Sequence, residues 1–141
     1  MRLYLKKKKM ALDQQWVEMY QAAKKTQGFH QISEHMEAGG VSATVLADSG
    51  KIYTGVCVDT ACTLGVCAER NAIFNMITNG EVKIQRVLAL MSNGKNGAPC
   101  GACREFMVQL MEKDYKNIEV MMDYEKGRIM TMDELTPEWW I

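Results

Sequence analysis

Apolar residues near the start of the chain recur every three or four positions, which is the spacing of one face of an α-helix. The residues concerned are Leu12, Trp16, Met19, Tyr20 and Ala23. This pattern predicts a helix from Leu12 to Lys25, with Asp13 as a cap or first-turn acid. We expect its apolar face to lie against the core.

The patterns that follow are typical of strands. The run from Val41 to Ala47 is rich in strand-forming residues, and Asp48-Ser49-Gly50 is a turn signal. A return strand from Lys51 to Val58 completes an antiparallel hairpin. Further strands are predicted from Val82 or Ile84 to Met91, from Ile118 to Met122 and from Arg128 to Thr131. The first of these three is strongly apolar, as expected of a strand buried on both faces.

Helical segments alternate with these later strands. They are predicted from Glu69 to Ile77, from Cys100 to Lys113, and from Asp133 through Leu135, Trp139 and Trp140. A helix, a hairpin and then alternating strands and helices predict an α/β layered domain with a mixed sheet. The length of 141 residues suits one domain, 1–141.

Charge and composition restrict the partners. The formal net charge is zero, so no overall field attracts nucleic acid or an anionic membrane. Lys6-Lys7-Lys8-Lys9 could bind either, but we favour a solvated terminal run. No apolar stretch is long enough to span a bilayer, and residues 1–10 lack the apolar core of a secretion signal. Five cysteines form no even disulfide framework, which favours a reducing compartment, the cytoplasm.

Three cysteines and a glutamate carry the candidate chemistry. Cys100 and Cys103 are three residues apart, so both thiolates can lie on one face of a first helical turn. Cys67 supplies a third ligand, and catalytic zinc sites usually combine three protein ligands with an open position for water. Glu69 follows two residues later and can direct its carboxylate to that position. We therefore predict a zinc site with Glu69 as the acid and base.

Arg70 has two interpretations. Three thiolates overcompensate a divalent ion, and a guanidinium that donates to the sulfurs would offset the excess charge. Arg70 could equally be a solvated helix charge. Both possibilities remain open from the sequence.

These motifs resemble the cytidine deaminase family of zinc hydrolases, in the variant with three cysteine ligands. The resemblance runs from about Val41 to Leu110. It rests on Ala47-Asp48-Ser49-Gly50-Lys51-Ile52-Tyr53-Thr54-Gly55, Cys67-Ala68-Glu69-Arg70-Asn71-Ala72 and Pro99-Cys100-Gly101-Ala102-Cys103-Arg104. It implies a three-layer fold with a five-stranded sheet, one zinc ion per subunit, a homotetramer, and deamination of cytidine or deoxycytidine with release of ammonia.

The resemblance also assigns the substrate contacts. It implies that Cys57, Asp59 and Ala68 line the substrate pocket. Nucleoside deaminases of this family carry an asparagine and a glutamate at the first two of these positions, where they bind the ribose hydroxyls. Asp59 can still accept hydrogen bonds, whereas the weak S–H donor of Cys57 cannot copy an amide.

Several alternatives remain open. Blasticidin S deaminases share this zinc centre and act on a cytosine nucleoside with a modified sugar, and guanine deaminases carry a related motif. In a different class, Cys57 or Cys62 could complete a four-cysteine structural site, which would make the chain a binding module. Trp139 and Trp140 either pack on their own subunit or cover a neighbour's pocket.

Overall fold

The fold is known from a computed structural model that describes residues 12–141, so the lysine run at 6–9 lies outside the described residues. The helices are α1 (Gln14–Thr26), α2 (Ala68–Thr78), α3 (Gly101–Leu110) and α4 (Met132–Leu135), with a 3-10 turn at Tyr115–Asn117. The strands are β1 (His30–Ser33), β2 (Met36–Ala47), β3 (Ile52–Thr60), β4 (Ile84–Met91), β5 (Glu119–Asp123) and β6 (Arg128–Thr131). None of the helices in residues 12–141 has the length and apolar character needed to cross a bilayer.

The long strand β2 is the centre of the sheet. Strand β3 pairs antiparallel with it along nearly its whole length, which confirms the predicted hairpin. The opposite edge of β2 is shared: β1 pairs with the residues around 36–38, and β4 pairs antiparallel with residues 41–47. Strand β5 then pairs parallel with β4, and β6 pairs antiparallel with β5. The sheet is therefore mixed, as predicted.

Alternate residues of the sheet point into two separate apolar layers. Val45 and Val87 belong to the layer between the sheet and helices α2 and α3. Leu46 and Leu88 belong to the layer under α1, where Trp16 is buried. Each layer excludes apolar surface from water, and together they hold the sheet between helices on both faces.

Helix α1 begins as its sequence predicts. The Asp13 carboxylate accepts a hydrogen bond from the backbone N–H of Trp16 at 3.2 Å. Two buried hydroxyls of β2 then fasten the helix to the sheet: Ser42 donates to the carbonyl of Ala23 at 2.6 Å and Thr44 to that of Met19 at 3.2 Å. These bonds satisfy polar groups that burial would otherwise leave without partners.

The predicted fold class is confirmed, although the sheet has a sixth strand. The extra strand, β1, has four exposed residues and no apolar alternation, so nothing in its sequence marked it. Strand β2 also begins at Met36, earlier than the predicted Val41.

Two helices end earlier than predicted. Helix α3 ends at Leu110 rather than Lys113, and α4 is a single turn that leaves Trp139 and Trp140 outside it. Pro137 explains the second difference, because a proline disfavours helical geometry in the residue before it. Glu138 then has a φ of 53°, which turns the chain away from a helical path.

Candidate metal centre and active site

The first cysteine of the site stands at the start of α2. Cys67 is the N-cap residue of this helix, with extended backbone geometry and no side-chain cap bond. The chain that leads to it is fixed to β3, because Val58 and Val66 exchange backbone hydrogen bonds of 3.0 and 2.9 Å. The helix lies very close to β3 at Gly55, where a side chain would meet the helix backbone. The position of Cys67 is therefore set by the sheet.

The other two cysteines belong to α3. Cys100 is the N-cap residue of this helix, and Cys103 lies on its first turn with a fully buried side chain. Both ligand segments thus begin a helix, where the partial positive charge of free N–H groups stabilises thiolates. This is the arrangement that the sequence predicts.

The three sulfurs fit a tetrahedral ion. The Sγ atoms of Cys67 and Cys100 are 3.5 Å apart, and all three sulfurs lie within 4.8 Å of one another. Tetrahedral zinc with Zn–S bonds of about 2.3 Å requires sulfurs about 3.8 Å apart. The donor set and its spacing therefore fit zinc.

The structure places neither of the remaining cysteines in this group. Cys57 and Cys62 are free thiols outside the cluster of three that could hold an ion. The four-cysteine structural site considered above therefore has no fourth sulfur among the described residues. Three thiolates leave a position open, as in catalytic zinc sites.

Glu69 lies beside the sulfurs. The residue is 7% exposed, and its Oε2 is 3.8 Å from the Sγ of Cys103. Burial raises the pKa of Glu69 above its ordinary value, although its own backbone N–H, the Cys103 thiol and the charge of Arg70 oppose the rise. A carboxyl group that holds a proton more readily than usual is suited to both accepting and returning one.

Arg70 faces the cluster. Its Nη2 donates to the Sγ of Cys67 at 3.6 Å, and this hydrogen bond is the main cause of the raised pKa of Arg70. Its Nε is buried and has no hydrogen-bond partner among the described residues. Of the two interpretations left open by the sequence, the contact with Cys67 is the one that the geometry supports.

The thiols on α3 differ in their acidity. Burial and the nearby charge of Glu69 raise the pKa of Cys103. Burial also opposes ionisation of Cys100, but hydrogen bonds from the N–H groups of Cys103 and Ala102 and from the neighbouring thiols outweigh it, and its pKa is lowered. A divalent ion would reverse the effect on Cys103, because thiols that coordinate a metal are deprotonated.

A cavity of about 620 Å³ opens above the cluster. Its size suits a nucleoside-sized ligand. Cys57, Asp59 and Ala68, the three residues that the resemblance assigned to the substrate, all line it. The cavity walls also include Val41, Thr60, Thr63, Gly65, Val66, Ala89, Met91, Gly97 and Ala98.

Cys57 is held by a bulge in the neighbouring strand. Between Ala38 and Ser42, β2 advances by four residues where β3 advances by two. The extra length brings the N–H of Val41 to the Sγ of Cys57 at 3.2 Å. The sulfur also lies 3.8 Å from Oδ2 of Asp59, to which it can donate. Cys57 therefore makes its hydrogen bonds to the protein itself.

Sequence reasoning missed some residues that shape the site. Val41, Ala89 and Met91 line the cavity because the last residues of β4 pair with the middle of β2 beside it, and their apolar character gave no functional signal. Arg104 had appeared only as the last residue of the motif that begins at Pro99. Its guanidinium donates to the carbonyls of Pro99 and Leu135, both at 2.8 Å.

The fold and the site together define a class of protein, a zinc-dependent hydrolase, in which three clustered cysteines could hold the metal beside a buried carboxyl group. Residues 10–118 match the family model of the cytidine and deoxycytidylate deaminase zinc-binding region. The chain belongs to this family of zinc-dependent hydrolytic deaminases.

Individual relatives agree with the family model. A cytidine deaminase of Halalkalibacterium halodurans is 31% identical over 100 residues, which cover 69% of this chain and 74% of that protein. A probable cytidine deaminase of Dictyostelium discoideum is 38% identical over 72 residues, 49% of this chain and 48% of that protein.

Solved structures share the fold. Cytidine deaminase from Mycobacterium leprae is 27% identical with a TM-score of 0.70, over 89% of this chain and 100% of that one. The enzyme from Burkholderia pseudomallei is 26% identical with a TM-score of 0.69, over 88% and 98% of the two chains. Cytidine deaminase from Mycobacterium tuberculosis is 22% identical with a TM-score of 0.72, over 93% of this chain and 99% of that one. At this identity the match supports a shared fold only.

Proposed function

We propose that this protein deaminates a cytosine nucleoside, converting cytidine or deoxycytidine to uridine or deoxyuridine with release of ammonia. One observation carries the proposal. Three sulfurs within 4.8 Å of one another lie beside the buried carboxyl group of Glu69, and the cavity of about 620 Å³ opens onto them. We take residues 1–141 as one catalytic domain.

The roles within the site follow from this geometry. Cys67, Cys100 and Cys103 would hold one zinc ion per subunit, and bound zinc would supply a water molecule of lowered pKa as the nucleophile. Glu69 accepts a proton from the attacking water and passes it to ring N3. The water oxygen adds to C4. Glu69 then takes the proton of this new C4 hydroxyl and delivers it to the exocyclic amine, so that the C4 carbonyl forms, the C4–N bond breaks and ammonia leaves. Proton transfer of this kind contributes about 10²–10⁴-fold in rate.

Arg70 and the pocket residues support this chemistry. Arg70, bonded to Cys67, would offset part of the negative charge of three thiolates. Ala68 borders the reacting ring, and the Asp59 carboxylate accepts hydrogen bonds from sugar hydroxyls.

The charges of the cavity favour a nucleoside over its 5′-phosphate. Among the described residues that line the cavity, the charged ones are Asp59, Glu69 and Arg70. Arg70 already faces a thiolate, and Asp59 would repel a phosphate group rather than bind it. We therefore expect weak turnover of deoxycytidylate.

A nucleoside antibiotic is the second candidate substrate. Because the Sγ of Cys57 accepts the N–H of Val41, this side chain does not offer the amide-like contacts that a ribose reader needs. That observation favours a modified sugar, as in blasticidin S. Asp59 would then be the main polar contact to the sugar.

The test is ammonia release from the zinc-loaded protein. Cytidine, deoxycytidine, deoxycytidylate and blasticidin S are offered in parallel, with Glu69→Gln as the matched variant. We expect fast release from an unphosphorylated cytosine nucleoside, and almost none from Glu69→Gln although that variant retains zinc. Turnover of blasticidin S alone would favour the antibiotic. Near-normal turnover by Glu69→Gln would remove this residue from the mechanism.

The proposal extends to assembly and location. We propose a homotetramer, which the family resemblance supports, and sedimentation of the purified protein measures its mass. We also propose the cytoplasm, because three metal-binding thiolates require a reducing compartment.

A further inference from the structure

The end of the chain is fastened to the helix that carries two of the cysteines. We call residues 136–141 the C-terminal segment; it contains neither helix nor strand. The indole N–H groups of Trp139 and Trp140 both donate to the carboxylate of Glu105, at 2.9 and 2.6 Å. The hydroxyl of Tyr115 donates to the carbonyl of Ile141 at 3.2 Å. The segment is thus held by side chains of α3 and of the turn that follows.

Arg104 joins this segment to the metal centre. Its Nε donates to the carbonyl of Pro99 and its Nη1 to that of Leu135, both at 2.8 Å. Its backbone N–H donates to the carbonyl of Cys100 at 2.9 Å. Arg104 therefore holds two consecutive carbonyls at the start of α3, those of Pro99 and Cys100. It also holds the carbonyl of Leu135 at the end of α4. A planar guanidinium suits this role, because its donors have a fixed geometry.

The peptide units at Pro99 and Cys100 have few other supports. Cys100 is exposed. The loop before it is anchored further back by Asn96, which donates to the carbonyl of Ala89 at 2.9 Å and accepts the N–H of Tyr124 at 2.8 Å. Further along this loop, Arg104 holds the carbonyl of Pro99, the residue directly before Cys100.

We propose that Arg104 is a positioning residue for the metal centre and that the C-terminal segment braces it. Arg104 fixes the backbone from which Cys100 presents its sulfur toward Cys67. The segment keeps the carbonyl of Leu135 in place for the other half of the guanidinium. This inference rests on the proposed zinc-dependent function. It assigns Trp139 and Trp140 to their own subunit rather than to a neighbour's pocket.

The experiment measures zinc release, which needs no substrate. Zinc-loaded full-length protein is mixed with excess 4-(2-pyridylazo)resorcinol, at a temperature where circular dichroism shows every variant folded. We expect Arg104→Ala to release zinc about 10-fold faster than the wild type, in the range seen for residues that support metal ligands. Arg104→Lys keeps one donor group and should release zinc at a rate between those of the wild type and Arg104→Ala. Deletion of residues 139–141 should also accelerate release.

Arg86→Ala is the matched control. Arg86 also bridges separate elements, since it pairs with Asp13 at 2.7 Å and Glu119 at 3.3 Å, but it makes no contact with α3 in these pairs. We expect this variant to unfold at a lower temperature and yet release zinc at the wild-type rate. Equal acceleration in Arg86→Ala would show that release follows general stability and would overturn the proposal.

Further outcomes separate this inference from the proposed function. If Arg104→Ala does not fold, Glu105→Gln replaces it, because this change weakens the bonds to Trp139 and Trp140 and leaves Arg104 in place. Zinc release at the wild-type rate in both Glu105→Gln and Arg104→Lys would then overturn the proposal. Wild-type release by Arg104→Ala would overturn it while leaving deamination intact. A wild-type protein that binds zinc but deaminates no nucleoside would overturn the proposed function and leave the release comparison valid.

Discussion

Replacing Gly55 by alanine tests how the sheet sets the position of α2, the helix that carries Glu69. Gly55 lies in β3 directly beneath α2. A Cβ at this position would lie closest to the backbone nitrogen of Ala72, and only 2.7 Å from the carbonyl carbon of Asn71 and 2.8 Å from the oxygen of Ala68. All three atoms belong to the backbone, so no side chain can rotate away to make room.

The required movement can be read from these distances. Ordinary contact with a Cβ begins at 3.4 Å, so α2 must withdraw by at least 0.7 Å from Asn71 and further to clear Ala72, roughly 1 Å in all. Glu69 moves with α2, whereas Cys100 and Cys103 belong to α3 and remain. A misplacement of about 1 Å can cost about 10²-fold in rate. Overpacking of this kind destabilises a protein by about 1–3 kcal/mol.

Two measurements check the prediction. Steady-state deamination of the best nucleoside substrate should fall by about 10²-fold in Gly55→Ala, and urea unfolding should show the loss of stability. Gly28→Ala is the control, because its Cβ would meet no atom within 4 Å. Wild-type turnover and stability in Gly55→Ala would refute the argument that close contact with β3 sets the position of Glu69.

Three further predictions concern stability. Ser42→Ala removes the buried bond to the carbonyl of Ala23 and should lower the free energy of unfolding by about 1 kcal/mol in urea titrations; an unchanged value would contradict this. The hydrogen bond from Arg86 lowers the pKa of Asp13 in the folded protein below its ordinary 3.8. The ionised carboxylate therefore stabilises the fold fully above pH 3.8, and this stabilisation is lost as the pH falls through the lower pKa of the folded state. Asp13→Asn keeps a capping side chain but should flatten the acid limb of a stability–pH profile, and a profile identical to that of the wild type would refute the assignment. Removing zinc with a chelator should lower the unfolding temperature, because a ligand that binds the folded state stabilises it by about 2.7 kcal/mol at 100 times its Kd; equal unfolding temperatures with and without zinc would argue against a bound ion.

Local pattern was sufficient for much of the scaffold. The helical spacing around Trp16 and Met19 predicted α1, and both residues are fully buried. The strand-forming residues from Val41 to Ala47 and the apolar residues of β4 predicted strands, because buried strands are rich in such residues. The apolar pattern did not predict an exposed strand, because exposed positions need no apolar residues. Strand β1 is exposed throughout, and its pairing with β2 is what makes it a strand.

The end of the chain shows a different limit. The helix predicted from Asp133 included Trp139 and Trp140, but α4 ends at Leu135, two residues before Pro137. Their indole groups instead share the carboxylate of Glu105, a residue more than 30 positions away. A contact over such a distance has no local signature, because it depends on how α3 and α4 are brought together.

The sequence by itself determined the chemistry of the site. Three cysteines and a glutamate at these spacings indicated a zinc ligand set with an acid and base, since ligand preference belongs to the side chain and not to the fold. Only the tertiary structure decided how those groups meet: the sulfurs of Cys67 and Cys100, 33 residues apart, lie at 3.5 Å because two helices begin at the same end of one sheet. It also decided that Cys57 bonds to a neighbouring strand and that Arg104 holds the backbone before Cys100. Such contacts arise from packing between distant segments, which the sequence of either segment alone does not specify.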